Sequence, residues 1–227
     1  MWLIPNGLPD HGHPSWGGWG GRHNPVTWLK DLSREYGMSY DTVVTKTVLR
    51  YTSVQSTVWR WRDAFRDDFA ARMHWTLHQN YSAATHPPIV NVNGSEGPEA
   101  LHVTIPPGAS ITLDASETID VDHPSDISQL EFEWSFYLEA GYQFDYGAKL
   151  DYIRIEPLLP PPGTDGKLSL NAAGFEDVAF GPAVSVTNLV PNLPKLKGRG
   201  WHVVLQVRTK KGPYPITRYK QIVIKSE

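Results

Sequence analysis

The chain has 227 residues, 40% hydrophobic and 20% charged, with a formal net charge of −3; these are the proportions of an ordinary globular protein with room for one large domain or two small ones. A near-neutral charge without a basic run excludes an electrostatic nucleic-acid binder, which must neutralise phosphates with clustered Lys and Arg. The absence of cysteine excludes disulfides, thiolate catalysis and Cys-based zinc sites, and no apolar run is long enough to span a membrane.

The first residues, Met1 to Gly7, hold one apolar strand at Trp2 to Ile4. They lack the basic region, sustained apolar core and small-residue cleavage site of a signal peptide. Residues 13 to 22 then read His-Pro-Ser-Trp-Gly-Gly-Trp-Gly-Gly-Arg. Four glycines free the backbone for positive φ or close approach, while Trp16 and Trp19 sit where no regular helix or strand can form. Such a loop either packs its aromatics into a crevice of its own fold or offers them, with Arg22, to a planar ligand such as a sugar or base. Around it stand Asp10, His11, His13 and His23. Within that cluster no helical His-x-x-x-His spacing supports a metal site, so a capped turn with solvated histidines is expected. Gly17-Gly18-Trp19-Gly20-Gly21 matches neither the dinucleotide nor the Walker spacing.

Asn24 before Pro25 reads as an N-cap and first-turn proline, with Trp28, Leu29, Leu32 and Tyr36 on one helical stripe closed by Gly37. A longer helix is predicted from about Ser53 to Leu77, with Val54, Val58, Trp61, Phe65, Phe69, Met73 and Leu77 on its apolar stripe. Core packing is the ordinary reading of such a stripe. Asp68 and Arg72 are placed to pair one turn apart. Glu35, Asp63, Asp67 and Asp68 read as solvated helix faces, so no carboxylate pair for glycoside chemistry can be named. Ser15, Ser33 and Ser53 lack the flanking glycines of a nucleophile elbow.

Seven of the nine tryptophans precede residue 76. A boundary is predicted near His86-Pro87-Pro88, where paired prolines enforce an extended connector. Beyond it the pattern turns to short alternating strands: Leu101 to Ile105, Ala109 to Leu113, Leu130 to Phe136, Tyr152 to Glu156, Lys167 to Leu170, Ala183 to Val186, Trp201 to Arg208 and Tyr219 to Lys225. Strands at this rhythm without helices between them suggest an antiparallel sandwich of immunoglobulin type. Asp114, Asp120, Asp122 and Asp126 lie between two of the strands. Pro124 and Ser125 break an EF-hand pattern there, leaving a polar loop with aspartate turns as the expectation and structural calcium as the alternative.

Several stretches carry a family resemblance: Leu3 to Leu8, Pro14 to Arg22, Trp59-Arg60-Trp61-Arg62 running into Asp68 to Met73, His86-Pro87-Pro88, Ile111 to Ser116, Asp120-Val121-Asp122, Phe132-Glu133-Trp134, Tyr137 to Gly141 and Thr217-Arg218-Tyr219. On these residues the chain resembles the bacterial and fungal family of cellulose-binding proteins with a nucleoside-hydrolase-like domain followed by an immunoglobulin-like C-terminal domain. The resemblance implies an α+β chain. Residues 1–85 would be the C-terminal portion of the α/β nucleoside-hydrolase-like domain, and residues 86–227 the immunoglobulin-like β-sandwich. It further implies an N-terminally truncated chain without the aspartate cluster that holds calcium in nucleoside hydrolases, hence no cofactor here, and an extracellular location. The expected partner is cellulose or a related polysaccharide, with no nucleic acid, no membrane and no oligomeric state specified. Ligand contacts are expected from Trp16, Trp19, Arg22 and Trp59, with Tyr142, Tyr146 and Tyr152 as alternatives on the second half. A fragment of a calcium-dependent N-glycoside hydrolase and a purely structural module are the rival readings.

Overall fold

The computed structural model describes residues 6–8, 12–25, 36–47, 49–141, 151–196, 198–212 and 214–227. The strand expected at Trp2 to Ile4 and most of the helix expected after Pro25 lie outside these residues. Where that helix should begin, the chain instead forms a strand: β1 (His23–Pro25) pairs antiparallel with β2 (Tyr36–Met38), placing Asn24 opposite Gly37. A hairpin follows, β3 (Asp41–Val44) with β4 (Arg50–Ser53).

The predicted long helix is broken in two. A single turn, α1 (Ser56–Trp59), precedes α2 (Arg62–Trp75). The break falls at Arg60 and Trp61, whose side chains turn inward, Trp61 being almost wholly buried. Beyond Phe65 the buried stripe also runs one or two positions earlier than predicted. Asp68 and Ala71 face inward, while Phe69 is 63% and Leu77 76% exposed. An aspartate can take an inward position because Arg218 Nη1 donates to it at 2.8 Å, and Arg72, one turn on, donates from Nε at 2.7 Å, as its spacing predicted.

The remainder is strand-rich. In chain order come β5 (Asn91–Val92), β6 (Ser95–Glu96), β7 (Leu101–Thr104), β8 (Ser110–Asp114), β9 (Leu130–Tyr137), a single helical turn α3 (Leu138–Gly141), β10 (Ile153–Pro157), β11 (Lys167–Leu170), β12 (Glu176–Phe180), β13 (Ala183–Asn188), β14 (Gly200–Thr209) and β15 (Thr217–Lys225). A six-stranded sheet has the order β11-β12-β9-β14-β15-β7, and a three-stranded sheet the order β10-β13-β8. All eight predicted strands of this half are present. One pairing departs from the antiparallel expectation: β7 runs parallel to β15, with Leu101 beside Ile222. The additional strand β12 lacks period-2 alternation because Asp177 takes φ +53°, interrupting the ladder between Val178–Leu168 and Glu176–Leu170, after which Val178 and Ala179 are both buried.

Alternation along β9 and β14 sorts the core. Phe132, Trp134, Val203, Leu205 and Val207 join Leu113, Ile153, Ile155, Val184 and Val186 from the three-stranded sheet in one cluster. The opposite face of the large sheet, through Tyr137, Val204 and Tyr219, packs with Leu8, Trp19, Trp61 and Phe175 in a second. Strands β14 and β15 are therefore covered on both sides, and all of β15 but Lys225 is buried, Lys220 and Gln221 included. Among the described residues, the N-terminal part has its buried cluster in common with the sheet rather than alone.

Candidate functional site

The glycine-rich loop turns inward. Pro14–Trp16 form one 3-10 turn, and Trp16 stacks on His13 with centroids 4.0 Å apart and meets the His202 ring edge-to-face with centroids 5.0 Å apart. Gln221 Nε2 donates to the Trp16 carbonyl at 3.1 Å. Burial pushes the His202 imidazole down to about 3, with His102 and His13 adding to the effect, so this ring is neutral at any ordinary pH. Gly17 has φ +83°, and a Cβ there would lie 2.5 Å from the Tyr137 hydroxyl. Glycine is thus required for the loop to pass the head of that tyrosine.

What Tyr137 reaches is a buried ionic cluster. Its hydroxyl donates to Asp41 Oδ2 at 2.5 Å, and Arg22 Nε donates to Oδ1 at 2.8 Å. Arg60 Nε lies 3.2 Å from Oδ2 as an ion-pair contact. The Arg60 guanidinium lies beside the edge-to-face pair Tyr137 and Phe175, 4.6 and 4.4 Å from their ring centroids, in the distance range of a desolvated cation–π contact. Its Nη2 donates to the Thr42 carbonyl at 2.9 Å and reaches Glu139 at 3.5 Å, while its Nη1 is buried with no hydrogen-bond partner. Burial works against the Arg60 charge, but the Asp41 and Glu139 carboxylates outweigh it and raise its pKa. Burial raises the Glu139 pKa in turn, against the pull of Arg60.

Arg60 and Glu139 also floor an open cleft of about 510 Å³, within the range of small-ligand sites. One wall is the edge strand β10, through Ile153 to Glu156, and the other is β11 and β12, through Lys167 to Ser169 and Glu176 to Val178; Thr42, Val44 and Arg50 of the hairpin close one end. The cleft therefore lies where the edges of the two sheets part. Its lining charges are largely paired, Arg50 with Glu176 at 2.8 Å and Lys167 with Glu156 at 3.5 Å. Apolar contact comes from Phe136, Leu138 and Phe175. A surface of apolar patches and fixed, neutralised hydrogen-bonding groups suits an uncharged polyhydroxylated ligand, which needs many directional donors and acceptors without a net charge to match.

The four expected contact residues are not brought together here. Trp19 is 9% exposed, with Nε1 directed at the Tyr219 hydroxyl 3.5 Å away. Arg22 is 2% exposed and consumed by Asp41, the Tyr40 carbonyl and Asn24. Both are internal structure, because the glycines let their loop pack too closely to leave room for a ligand. Trp16 is half-buried, and Trp59 is 54% exposed on α1. Tyr142 and Tyr146 lie outside the described residues, and Tyr152 packs on Trp201 at 4.8 Å. Sequence reasoning missed Asp41, Arg60, Tyr137 and Glu139 as a group. The signal lay in the motif stretches themselves: Arg22, Trp59-Arg60-Trp61 and Tyr137-Leu138-Glu139, far apart in the chain, meet around Asp41.

The aspartates of residues 114–126 spend most of their carboxylate oxygens on groups of the protein itself. Asp120 accepts from the Asp122 amide at 2.9 Å and faces His123 Nδ1 at 3.0 Å; Asp122 holds the His86 amide and ring at 2.8 and 2.7 Å. Asp114 caps the Ser116 amide, and Asp126 accepts from Ser128 and Gln129. They are loop caps, as aspartate turns require. Among the described residues no three His, Cys, Asp or Glu side chains are grouped to hold a metal, and no helix is long and apolar enough to cross a membrane.

Comparison with known proteins adds three findings. The family model described as "Cellulose-binding protein Sde0182, C-terminal domain" matches residues 110–226. Among solved structures, a nucleoside hydrolase-related hypothetical protein from Saccharophagus degradans, associated with carbohydrate metabolism, aligns with a TM-score of 0.61 at 24% identity, covering 98% of this chain. The chain spans 45% of that protein's length, and the likeness is one of fold. No curated protein matches significantly.

Proposed function

The chain belongs to the family of the Sde0182 C-terminal domain, and from that premise we propose that it binds a carbohydrate, cellulose or a related neutral polysaccharide, in the cleft between the sheet edges. The observation that carries the reading is the cleft lining itself, apolar contact from Phe136, Leu138 and Phe175 beside charges already paired as Arg50–Glu176 and Lys167–Glu156, which offers directional hydrogen bonds without a net charge to match. The strand order and the parallel β7–β15 closure support an immunoglobulin-like sandwich for residues 86–227, with residues 1–85 as the end of a nucleoside-hydrolase-like domain packed on one face of its large sheet. A polysaccharide ligand places the protein outside the cell.

Depletion from solution by insoluble cellulose, and titration with soluble glucan oligosaccharides, test this reading. Replacing Arg154 and Lys167 together by Ala, both exposed on the cleft walls, is expected to weaken binding about tenfold or more, whereas Trp59→Ala leaves it unchanged. The opposite pattern would move the site to the exposed Trp59 ring, and no depletion at all would remove the carbohydrate reading. A nucleoside panel with added calcium addresses the rival reading of a hydrolase fragment, for which turnover is the diagnostic result.

A further inference from the structure

A histidine pair at the end of α2 stands apart from the cleft. His74 and His78 are four residues apart, the one helical His-x-x-x-His spacing in the chain, and their Nε2 atoms lie 2.9 Å apart. An in-line Nε2–H···Nε2 hydrogen bond at that length would hold the ring centroids about 5 Å apart. They are 4.2 Å apart with the planes at 49°, so the two rings are not in line with one another. For two imidazoles on one metal at the usual M–N distance, cis positions at right angles put the nitrogens about 2.9 Å apart, and tetrahedral positions about 3.3 Å. The observed spacing is the right-angle one.

The surroundings favour a cation. The pair sits where α2 ends and its macrodipole is negative. The nearest cation on the helix, Arg72, is turned away into its contact with Asp68 at 2.7 Å and over the Trp75 ring at 5.2 Å. His78 is exposed and His74 half-buried against the Tyr214 ring at 5.7 Å, so one side of the site is open to water, which can fill the remaining positions. The Nδ1 of His74 has no partner, and no protein acceptor fixes its tautomer.

We propose that His74 and His78 form a two-imidazole chelate for a divalent transition metal of the Cu(II) or Ni(II) type, the ions for which right-angle nitrogen ligation is preferred. The site is independent of the carbohydrate reading and needs no glycan. Titration of the full chain with Cu(II) alone, followed by calorimetry and by the nitrogen hyperfine pattern in electron paramagnetic resonance, is expected to give one ion per chain held by two nitrogens. His78→Ala removes an exposed ring and is expected to weaken binding about a hundredfold, because the second ligand then no longer binds intramolecularly. His74→Gln is expected to do the same, while His123→Ala has no effect. Circular dichroism in a chelator checks that each variant is folded. Equal Cu(II) affinity in wild type and His78→Ala, or a single-nitrogen pattern in wild type, would overturn the proposal.

Discussion

Asp41→Ala is expected to lower the free energy of unfolding by about 3–5 kcal/mol, the cost of removing one partner from a buried ionic cluster. The carboxylate is fully buried and has two cations on it, Arg22 at 2.8 Å and Arg60 at 3.2 Å, besides the Tyr137 hydroxyl. Without it two guanidiniums remain in a dry interior with only carbonyls, amides and Glu139 for company. Asp41→Asn keeps the shape and part of the hydrogen bonding, and is expected to fall between wild type and Ala. The exposed pair Arg50–Glu176 provides the contrast: Arg50→Ala is expected to cost less than about 1 kcal/mol because water screens and replaces it. Urea unfolding of the three variants reads the order directly. A midpoint for Asp41→Ala equal to that of Arg50→Ala would mean that the cluster does not bind the N-terminal segment to the sheet.

The second large effect depends on pH. Glu133 lies on β9 in register with Gln206 and Phe180, and its carboxylate accepts a hydrogen bond from Asn171. Burial pushes its pKa up to about 7, with Glu131 adding to the rise and Asn171 and Arg208 opposing it. The unfolded value is near 4.5, so between these values the folded state holds a proton that the unfolded state has lost. Its contribution is therefore a loss of stability as pH rises from about 4.5 through 7, complete above that window. Glu133→Gln keeps an oxygen for the Asn171 amide and has no charge to bury. Relative to wild type it is expected to be more stable by about 2–3 kcal/mol at pH 8 and no different at pH 4. Thermal unfolding of both proteins across that range measures the difference, and a gain independent of pH would trace to packing instead.

The sheets were legible from the chain because most of their strands are covered on one face or both, and burial imposes its period on the sequence. Leu130 to Phe136 alternates, and β14 and β15 carry the apolar runs Val203 to Leu205 and Ile222 to Ile224. The helical half was legible only to Phe65. From there the apolar stripe Phe69, Met73, Leu77 parted from the buried one, since a long-range partner, Arg218, made Asp68 acceptable inside. Pairing between residues 150 positions apart leaves no local trace. The tryptophan-glycine loop left two readings open for a related reason. Glycine signals close approach without saying to what, and here the close neighbours are Tyr137 at Gly17 and Thr57 at Gly21, side chains of the same fold. The cleft was invisible because its walls come from β10, β11 and β12, and the last of these is masked as a strand by the left-handed Asp177.

The parallel pairing of β7 with β15 also sets the timetable of assembly. Leu101 finds Ile222, and Thr104 finds Lys225, only after more than a hundred intervening residues have left the ribosome. Tyr219, which Trp19 and Trp61 both pack against, arrives equally late. Until then β7 is an open edge and the early tryptophans have no surface to cover, a topology of high contact order that folds slowly and exposes apolar surface to aggregation on the way. Nascent chains stopped before residue 217 should therefore be protease-sensitive along their whole length, and protection should appear in one late step rather than growing with the chain.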